Sequence, residues 1–235
     1  MSWIVDEQNI KEFYSEIKFP GPYDIEDFHF YDHGYTNNFI DVYEQAIKNS
    51  FKVLDVGCGT GFLTNYFAYK YPDKKFEGID FGDCIDYAKE FSKKHKLTNV
   101  KYTKKNFFDI STNKKYDCII SNGAIHHMPL YENAIERIKN MVTDDGVIVL
   151  GIYNTFGKLA KKFIKVTYRS ELLRRDQEDA PFEMSFTNSE ISKHFTEFDT
   201  IEIYPSWNNK FTDIKNLLNY HNGGLTIYRF QRISQ

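Results

Sequence analysis

The sequence predicts an α/β fold in which helices cover both faces of a mostly parallel sheet. Apolar runs of strand length alternate with amphipathic helical patterns between residues 51 and 153, a pattern typical of parallel sheets. The first of these units joins a buried strand to a helix through a turn rich in glycine. With 235 residues the chain can enclose a sizeable core. Right-handed connections then bring the carboxyl ends of the strands to one edge, where such sheets bind ligands.

Periodicity places the individual elements in order along the chain. Strands are predicted at 53–56, 75–80, 99–103, 116–121, 146–153, 198–204 and 225–233. Helices are predicted at 4–17, 37–49, 62–71, 83–95, 131–141, 155–175, 189–195 and 213–221. Asn188 or Ser189 is expected to cap the short helix after the loop 176–187, and 222–224 to form a turn.

Composition excludes several classes of function. The net charge of −3 and the pI near 6.2 give no overall attraction to nucleic acid or membranes. No apolar stretch approaches the roughly 20 residues that span a bilayer, and the N-terminus has no signal-peptide pattern. Three scattered cysteines indicate a reducing compartment rather than a disulfide framework. We therefore expect a cytoplasmic protein, a monomer or homodimer, that acts on a small molecule.

The glycine turn carries the most specific chemical signal. Its glycines follow the order G-x-G-x-G, from Gly57 to Gly61, and Asp55 precedes them. A dinucleotide site would instead follow G-x-G-x-x-G. The next strand ends at Asp80, about 20 residues on, where a carboxylate can accept hydrogen bonds from both ribose hydroxyls. No Lys-Ser/Thr pair follows the glycines, which disfavours a phosphate-binding loop.

These motifs resemble those of the class I S-adenosylmethionine-dependent methyltransferases. V-L-D-V-G-C-G-T-G at 53–61 matches the first family motif, and G-I-D at 78–80 matches the second. The resemblance covers roughly residues 51–153. It implies a Rossmann-like three-layer sandwich with a seven-stranded, mostly parallel sheet whose last strand is antiparallel. It also implies an enzyme that uses S-adenosylmethionine.

The resemblance assigns the cofactor-binding residues. Asp55 and the turn would hold the methionine portion, Asp80 the ribose hydroxyls and Phe81 the adenine. The family's acidic residue near the adenine falls on Asn106 in this sequence, so that either Asn106 or Asp109 could fill the role. The full predicted set is Asp55, Gly57, Cys58, Gly59, Thr60, Gly61, Asp80, Phe81, Asn106, Phe107, Asn122 and Gly123.

Two adjacent histidines follow the fourth strand, in the region where the family places the acceptor. Histidine can remove a proton near neutral pH, and His126 is the slightly favoured base over His127. The alternative is that one of them packs or caps the next helix. Some ubiquinone-pathway O-methyltransferases bind a divalent ion here through E-x-x-E-H, but Gly123 stands at the first acid. We therefore predict no metal.

Segments outside the alternating core are expected to define the acceptor pocket. By resemblance, residues 1–49 form a lid, 50–153 the cofactor-binding core, 154–187 a cap and 188–235 the rest of the sheet, all in one domain. Candidate substrate residues are Tyr14, Tyr31, His33 and Tyr153. For the aromatic residues of the lid, the alternative role is packing within the lid.

The sequence favours methyl transfer to a small molecule at O, N, S or C. A protein or RNA methyltransferase is the alternative if the basic residues of 155–175 face the pocket, although a solvated face is preferred. A non-catalytic cofactor-binding protein and a nicotinamide enzyme stay open as further alternatives.

Overall fold

The computed structural model describes residues 7–28, 37–161, 171–204 and 225–233. The described strands are β1 Lys52–Val56, β2 Lys75–Asp80, β3 Val100–Lys104, β4 Tyr116–Asn122, β5 Val142–Tyr153, β6 Phe198–Tyr204 and β7 Leu225–Arg232. The α-helices are α1 Glu7–Ile17, α2 Asn37–Lys48, α3 Phe62–Lys70, α4 Ile85–Lys94, α5 Tyr131–Met141, α6 Thr155–Lys161, α7 Glu171–Glu178 and α8 Asn188–Ser192. Short 3-10 helices lie at Ile25–Phe28, Phe107–Asp109, Ile125–His127 and Lys193–Phe195.

The strands form one sheet in the order β3-β2-β1-β4-β5-β7-β6. All pairs from β3 to β5 are parallel. The last strand, β7, inserts between β5 and β6 and is antiparallel to both. The predicted fold class is therefore confirmed, including the direction of the final strand. The order reverses at β1 and β4, and in open α/β sheets that point is where ligands bind.

Apolar side chains pack on both faces of the sheet. This explains why polar and apolar residues do not alternate along the central strands. Leu54, Ile119 and Leu150 pack on one face with α5. Val53 and Val149 pack on the other face with α2 and α3. Because a parallel strand buries both of its faces, its sequence is a nearly continuous apolar run.

The segment after β5 differs from the prediction in two ways. Within the predicted helix 155–175 the described parts are α6 and α7, and α7 continues to Glu178, into the predicted loop. The cap of α8 is Thr187, not Asn188 or Ser189. Its hydroxyl accepts from the Glu190 N–H, and the Glu190 carboxylate accepts from the Thr187 N–H, which makes a reciprocal capping box. The predicted helix 213–221 and turn 222–224 lie outside the described residues.

Helix α1 lies beside α7, above the edge formed by the carboxyl ends of the strands. Arg175 on α7 forms an ion pair with Glu16 on α1 at 3.0 Å, and the Tyr14 hydroxyl donates to Asp176 at 3.1 Å. The N-terminal segment and the segment after β5 thus meet over this edge. None of the helices in the described ranges is long and apolar enough to cross a membrane.

The inserted strand β7 offers a test of what holds the sheet together. Phe230 is fully buried and stacks on Phe195 with ring centroids 4.0 Å apart. We expect Phe230→Ala to lower the free energy of unfolding by about 3–5 kcal/mol, because it leaves a cavity in a packed core. Urea denaturation measures this. The control is Ile201→Ala on the neighbouring strand, where the side chain is half exposed and the expected change is within about 0.5 kcal/mol. Equal effects of the two substitutions would contradict the assigned core.

Candidate functional site

A cavity of about 360 Å³ opens at the carboxyl edge of the sheet, where the order of strands reverses. Residues from β1, β2, β4 and β5, from α1 and from α7 line it. Of the predicted site residues, the lining includes Tyr14, Asp55, Gly57, Cys58, Gly59, Asp80, Phe81, Asn106, Phe107, Asn122, Gly123, His127 and Tyr153. Thr60, Gly61 and His126 are not among the lining residues. Tyr31 and His33 lie outside the described residues.

The glycine turn is tight enough to require its glycines. Gly57, Gly59 and Gly61 have φ values of 74°, 56° and 76°, in the left-handed region that residues with a side chain seldom adopt. A Cβ on Gly57 would lie 2.2 Å from the Cβ of Ala124, and one on Gly59 would lie 2.5 Å from the Phe19 carbonyl oxygen. Bare backbone therefore faces the cavity at the start of α3.

The turn also holds the N-terminal segment in place. The Thr60 N–H donates to the Phe19 carbonyl at 3.2 Å, and the Tyr23 hydroxyl donates to the Thr60 carbonyl at 3.0 Å. Asn65 on α3 donates to the Tyr23 hydroxyl at 2.7 Å. The backbone of Thr60 is thus engaged by the segment that follows α1, so Thr60 fixes that segment and does not face the cavity.

Asp80 ends β2 with its carboxylate directed at the turn. Its two oxygens accept from the Gly59 and Gly82 N–H groups, each at 2.8 Å. Burial raises the pKa of Asp80, while these hydrogen bonds oppose the rise. The carboxylate therefore stands in a fixed orientation at the rim of the turn, as a ligand for adjacent hydroxyls requires.

Asp55 is buried beneath the turn. The Thr64 hydroxyl donates to it at 2.5 Å. Burial raises the pKa of Asp55 to about 7, with the Thr64 bond lowering it and the negative charge of Asp80 adding to the rise. Its charge therefore changes near neutral pH.

Three phenylalanines lie close in sequence to polar residues of the cavity lining. Asn106 lines the cavity and accepts from the Phe108 N–H at 3.0 Å, which caps the 3-10 helix Phe107–Asp109. Phe81, Phe107 and Phe108 line the same cavity, whereas Asp109 does not. Of the two residues left open by the sequence, Asn106 is the one at the cavity.

The two histidines have different positions. His126 is fully buried, does not line the cavity, and packs with its ring centroid 4.1 Å from that of Tyr153. Burial holds its pKa well below the usual range. This geometry contradicts the preference for His126 as a base, because it has no path to a ligand in the cavity.

His127 lines the cavity instead. Its Nδ1 lies 2.8 Å from the Phe182 carbonyl oxygen, so Nδ1 carries the proton and Nε2 carries a lone pair. Within the described residues, Nε2 has no hydrogen-bond partner. Burial lowers the pKa of His127, which favours the neutral ring and leaves the lone pair on Nε2.

Asp176 on α7 completes this end of the cavity. It is 5% exposed and lines the cavity. It accepts from the Tyr14 hydroxyl at 3.1 Å and from the Tyr153 hydroxyl at 2.8 Å. The sequence alone gives no site role to Asp176, because this residue lies among charged residues and no motif marks it.

The basic residues after β5 do not form a free cationic wall in the part of the chain that the structure describes. Lys158 pairs with Glu183 at 2.5 Å, Arg174 with Asp179 at 3.1 Å and Arg175 with Glu16. In the same described ranges, no cluster of three or more potential metal ligands is found.

Comparison with known proteins identifies the family. A profile described as "Methyltransferase domain" matches residues 47–214. The chain belongs to this methyltransferase family. The match confirms the resemblance inferred from the glycine turn and Asp80, and it covers most of the described core.

Curated relatives include enzymes that act on different atoms. A malonyl-[acyl-carrier protein] O-methyltransferase of Acetivibrio thermocellus is 27% identical over 161 residues, covering 67% of this chain and 55% of the relative. An (S)-coclaurine N-methyltransferase of Papaver somniferum is 33% identical over 112 residues, covering 46% and 32%. The chain thus spans about half or less of these two relatives.

Solved structures share the fold over nearly the whole chain. The N-methyltransferase NodS of Bradyrhizobium japonicum, in complex with S-adenosyl-L-homocysteine, has a TM-score of 0.60 at 12% identity and covers 95% of this chain and 98% of its own. The plantazolicin methyltransferase BpumL has a TM-score of 0.62 at 16% identity, covering 98% and 92%. At this identity the likeness establishes the fold.

The contact between the turn and the N-terminal segment can be tested with two glycine substitutions. We expect Gly59→Ala to push Phe19 away and to increase amide hydrogen exchange in residues 7–22 at least tenfold, as followed by mass spectrometry. Gly123→Ala is the matched control. Its φ of 75° carries a similar backbone cost, but a Cβ there meets no atom within 4 Å. If amide hydrogen exchange in residues 7–22 increases equally in both variants, the backbone strain at the positive φ explains the increase. That result would contradict a specific effect of the contact with Phe19.

Proposed function

We propose that the chain transfers a methyl group from S-adenosylmethionine to a small-molecule acceptor. The observation that carries the proposal is one continuous cavity, which joins the glycine turn and Asp80 at one end to His127 and Tyr153 at the other. Helix α1 and α7 lie over this cavity. Such enclosure favours a small acceptor over a polymer.

The residues of the cavity fit this cofactor. Bare glycine backbone leaves room for a close approach, and the Asp80 carboxylate suits a ribose diol. Asp55 and the turn from Gly57 to Gly61 would hold the methionine portion. Phe81, Asn106 and Phe107 would hold the adenine. Asn122 and Gly123 would lie between this half of the site and the acceptor half.

In the proposed reaction, the protein mainly positions the acceptor and removes a proton from it. The cofactor supplies a methyl group on a positively charged sulfur, and the electron pair of the broken C–S bond stays on sulfur. Helix α1 and the segment 154–187 would act as lid and cap that exclude water and fix the acceptor in line. His127, with its free Nε2 lone pair, would take a proton from the acceptor.

We also propose a cytoplasmic location. Its support is the three cysteines, Cys58, Cys84 and Cys118, which are all free and buried, as expected in a reducing compartment. A protein or RNA substrate is less well supported, since Lys158, Arg174 and Arg175 of α6 and α7 are paired with acids.

The cofactor site is tested by Asp80→Ala. We expect calorimetry to give an affinity for S-adenosylhomocysteine at least 100-fold weaker, because the substitution removes the ribose acceptor and frees the Gly59 N–H. The control is Asp86→Ala, an exposed carboxylate on α4, which should leave the affinity within twofold. Near wild-type affinity in a folded Asp80→Ala protein would contradict the site. Time-dependent release of S-adenosylhomocysteine then separates an enzyme from a non-catalytic binder.

The pH dependence of binding follows from Asp55. Its raised pKa of about 7 means that the carboxylate gains a proton between pH 8 and pH 6 and loses its attraction for the ammonium of the methionine portion. We expect S-adenosylhomocysteine to bind about tenfold more weakly at pH 6 than at pH 8. Asp55→Asn should bind weakly at both values, with little slope left. If the affinity of Asp55→Asn still changed steeply with pH, the pH dependence would belong to Asp80 instead.

A further inference from the structure

The acceptor end of the cavity carries one buried carboxylate held by two aromatic hydroxyls. Tyr14 from α1 and Tyr153 from β5 donate to different oxygens of Asp176 on α7. Burial, reinforced by Asp176, raises the pKa of both tyrosines, so their hydroxyls stay protonated as donors. Each carboxylate oxygen keeps a further lone pair for a ligand. Three separate segments of the chain thus meet at the Asp176 carboxylate. This carboxylate can accept further hydrogen bonds from a positively charged ligand.

The described cations near Asp176 form their ion pairs with other carboxylates, although Lys158 is close enough to interact electrostatically with Asp176. Lys158 lies 2.5 Å from Glu183, and its ammonium sits 3.9 Å from the centre of the Tyr153 ring. Arg175, next to Asp176 in sequence, pairs with Glu16. No ion pair to Asp176 is found within the described ranges. A buried carboxylate without a cation is costly, so a positively charged ligand would offset that cost.

The rings of Tyr14, His127 and Tyr153 pack against one another at this end of the cavity. The ring centroids of Tyr14 and His127 lie 5.1 Å apart, and those of His127 and Tyr153 lie 6.2 Å apart. Aromatic faces beside a carboxylate stabilise an ammonium group through both charge and cation–π attraction. Lys105 is the cation that lines the cavity among the described residues. It follows β3, where its N–H donates to the Asp80 carbonyl, and so belongs to the cofactor end.

A cationic acceptor also needs a base that removes a proton, and His127 is the candidate for that role. An ammonium has no lone pair and must lose a proton before it can form a bond to carbon. His127 lines the cavity, and its buried Nε2 carries a lone pair and has no hydrogen-bond partner among the described residues. The proton would pass from the nitrogen to Nε2, and the freed lone pair would form the N–C bond in place of the methyl–sulfur bond, whose electron pair would stay on sulfur.

We propose that the methyl acceptor is an amine, bound as its ammonium form by Asp176, Tyr14 and Tyr153 and deprotonated by His127. The inference rests on the proposed function and narrows its acceptor to nitrogen. A carboxylic acid acceptor would place a second negative charge against Asp176, which costs affinity. An alcohol is neutral and would not compensate the negative charge of Asp176.

The test compares matched ligands on the protein saturated with S-adenosylhomocysteine. Phenethylamine, other arylalkyl and alkyl amines, and the corresponding carboxylates and alcohols are titrated by calorimetry. We expect at least one amine to bind tenfold or more tightly than its carboxylate and alcohol counterparts. Asp176→Asn should weaken that amine at least tenfold, while S-adenosylhomocysteine affinity stays within twofold. Asp179→Asn, an exposed carboxylate near the end of the same helix, should change neither.

A second variant separates binding from proton removal. His127→Gln should bind the same amine within threefold and turn it over at least 100-fold more slowly. Binding of carboxylates or alcohols as tight as amines, no binding by any amine, or amine binding unchanged in Asp176→Asn would each overturn the inference. Failure of wild-type protein to bind S-adenosylhomocysteine would instead overturn the proposed function itself.

Discussion

The packing of the N-terminal segment on the glycine turn is the contact on which the rest of the site depends. The carbonyl of Phe19 can approach Thr60 because Gly59 has no Cβ. That approach places α1 over the carboxyl edge, and α1 in turn brings Tyr14 to Asp176. This backbone contact, with the Tyr14–Asp176 hydrogen bond and the Arg175–Glu16 ion pair, holds the N-terminal segment over the cavity at the sheet edge.

Enclosure changes the chemistry of the groups inside. Asp55, Asp80 and His127 all have shifted pKa values because water is excluded from them. In each case the shift favours the neutral form, because burial penalises the charged form. The polar groups at both ends of the cavity are therefore held by hydrogen bonds from backbone and hydroxyl groups rather than by ion pairs.

The parts of the fold predictable from sequence are those with strong local signals. The strands from β1 to β5 have long apolar runs, and the glycine turn with Asp80 has a fixed spacing. The choice between His126 and His127 was wrong because a three-residue 3-10 helix has no periodicity from which to read direction. Asp176 was missed because its role depends on α7 meeting α1 and β5, a contact between residues 162 positions apart in the case of Tyr14. Thr187 rather than Asn188 caps α8, a shift of one residue that composition alone does not fix.

The central proposal is methyl transfer to an amine in this cavity. In the most direct measurement, the protein is incubated with a panel of amines and with S-adenosylmethionine whose methyl group is labelled. The label is then followed by mass spectrometry and NMR. The account predicts that the label appears on nitrogen of an amine, with one S-adenosylhomocysteine released for each methyl group transferred. Label on oxygen or sulfur of an acceptor, or binding without any transfer of label, would contradict it.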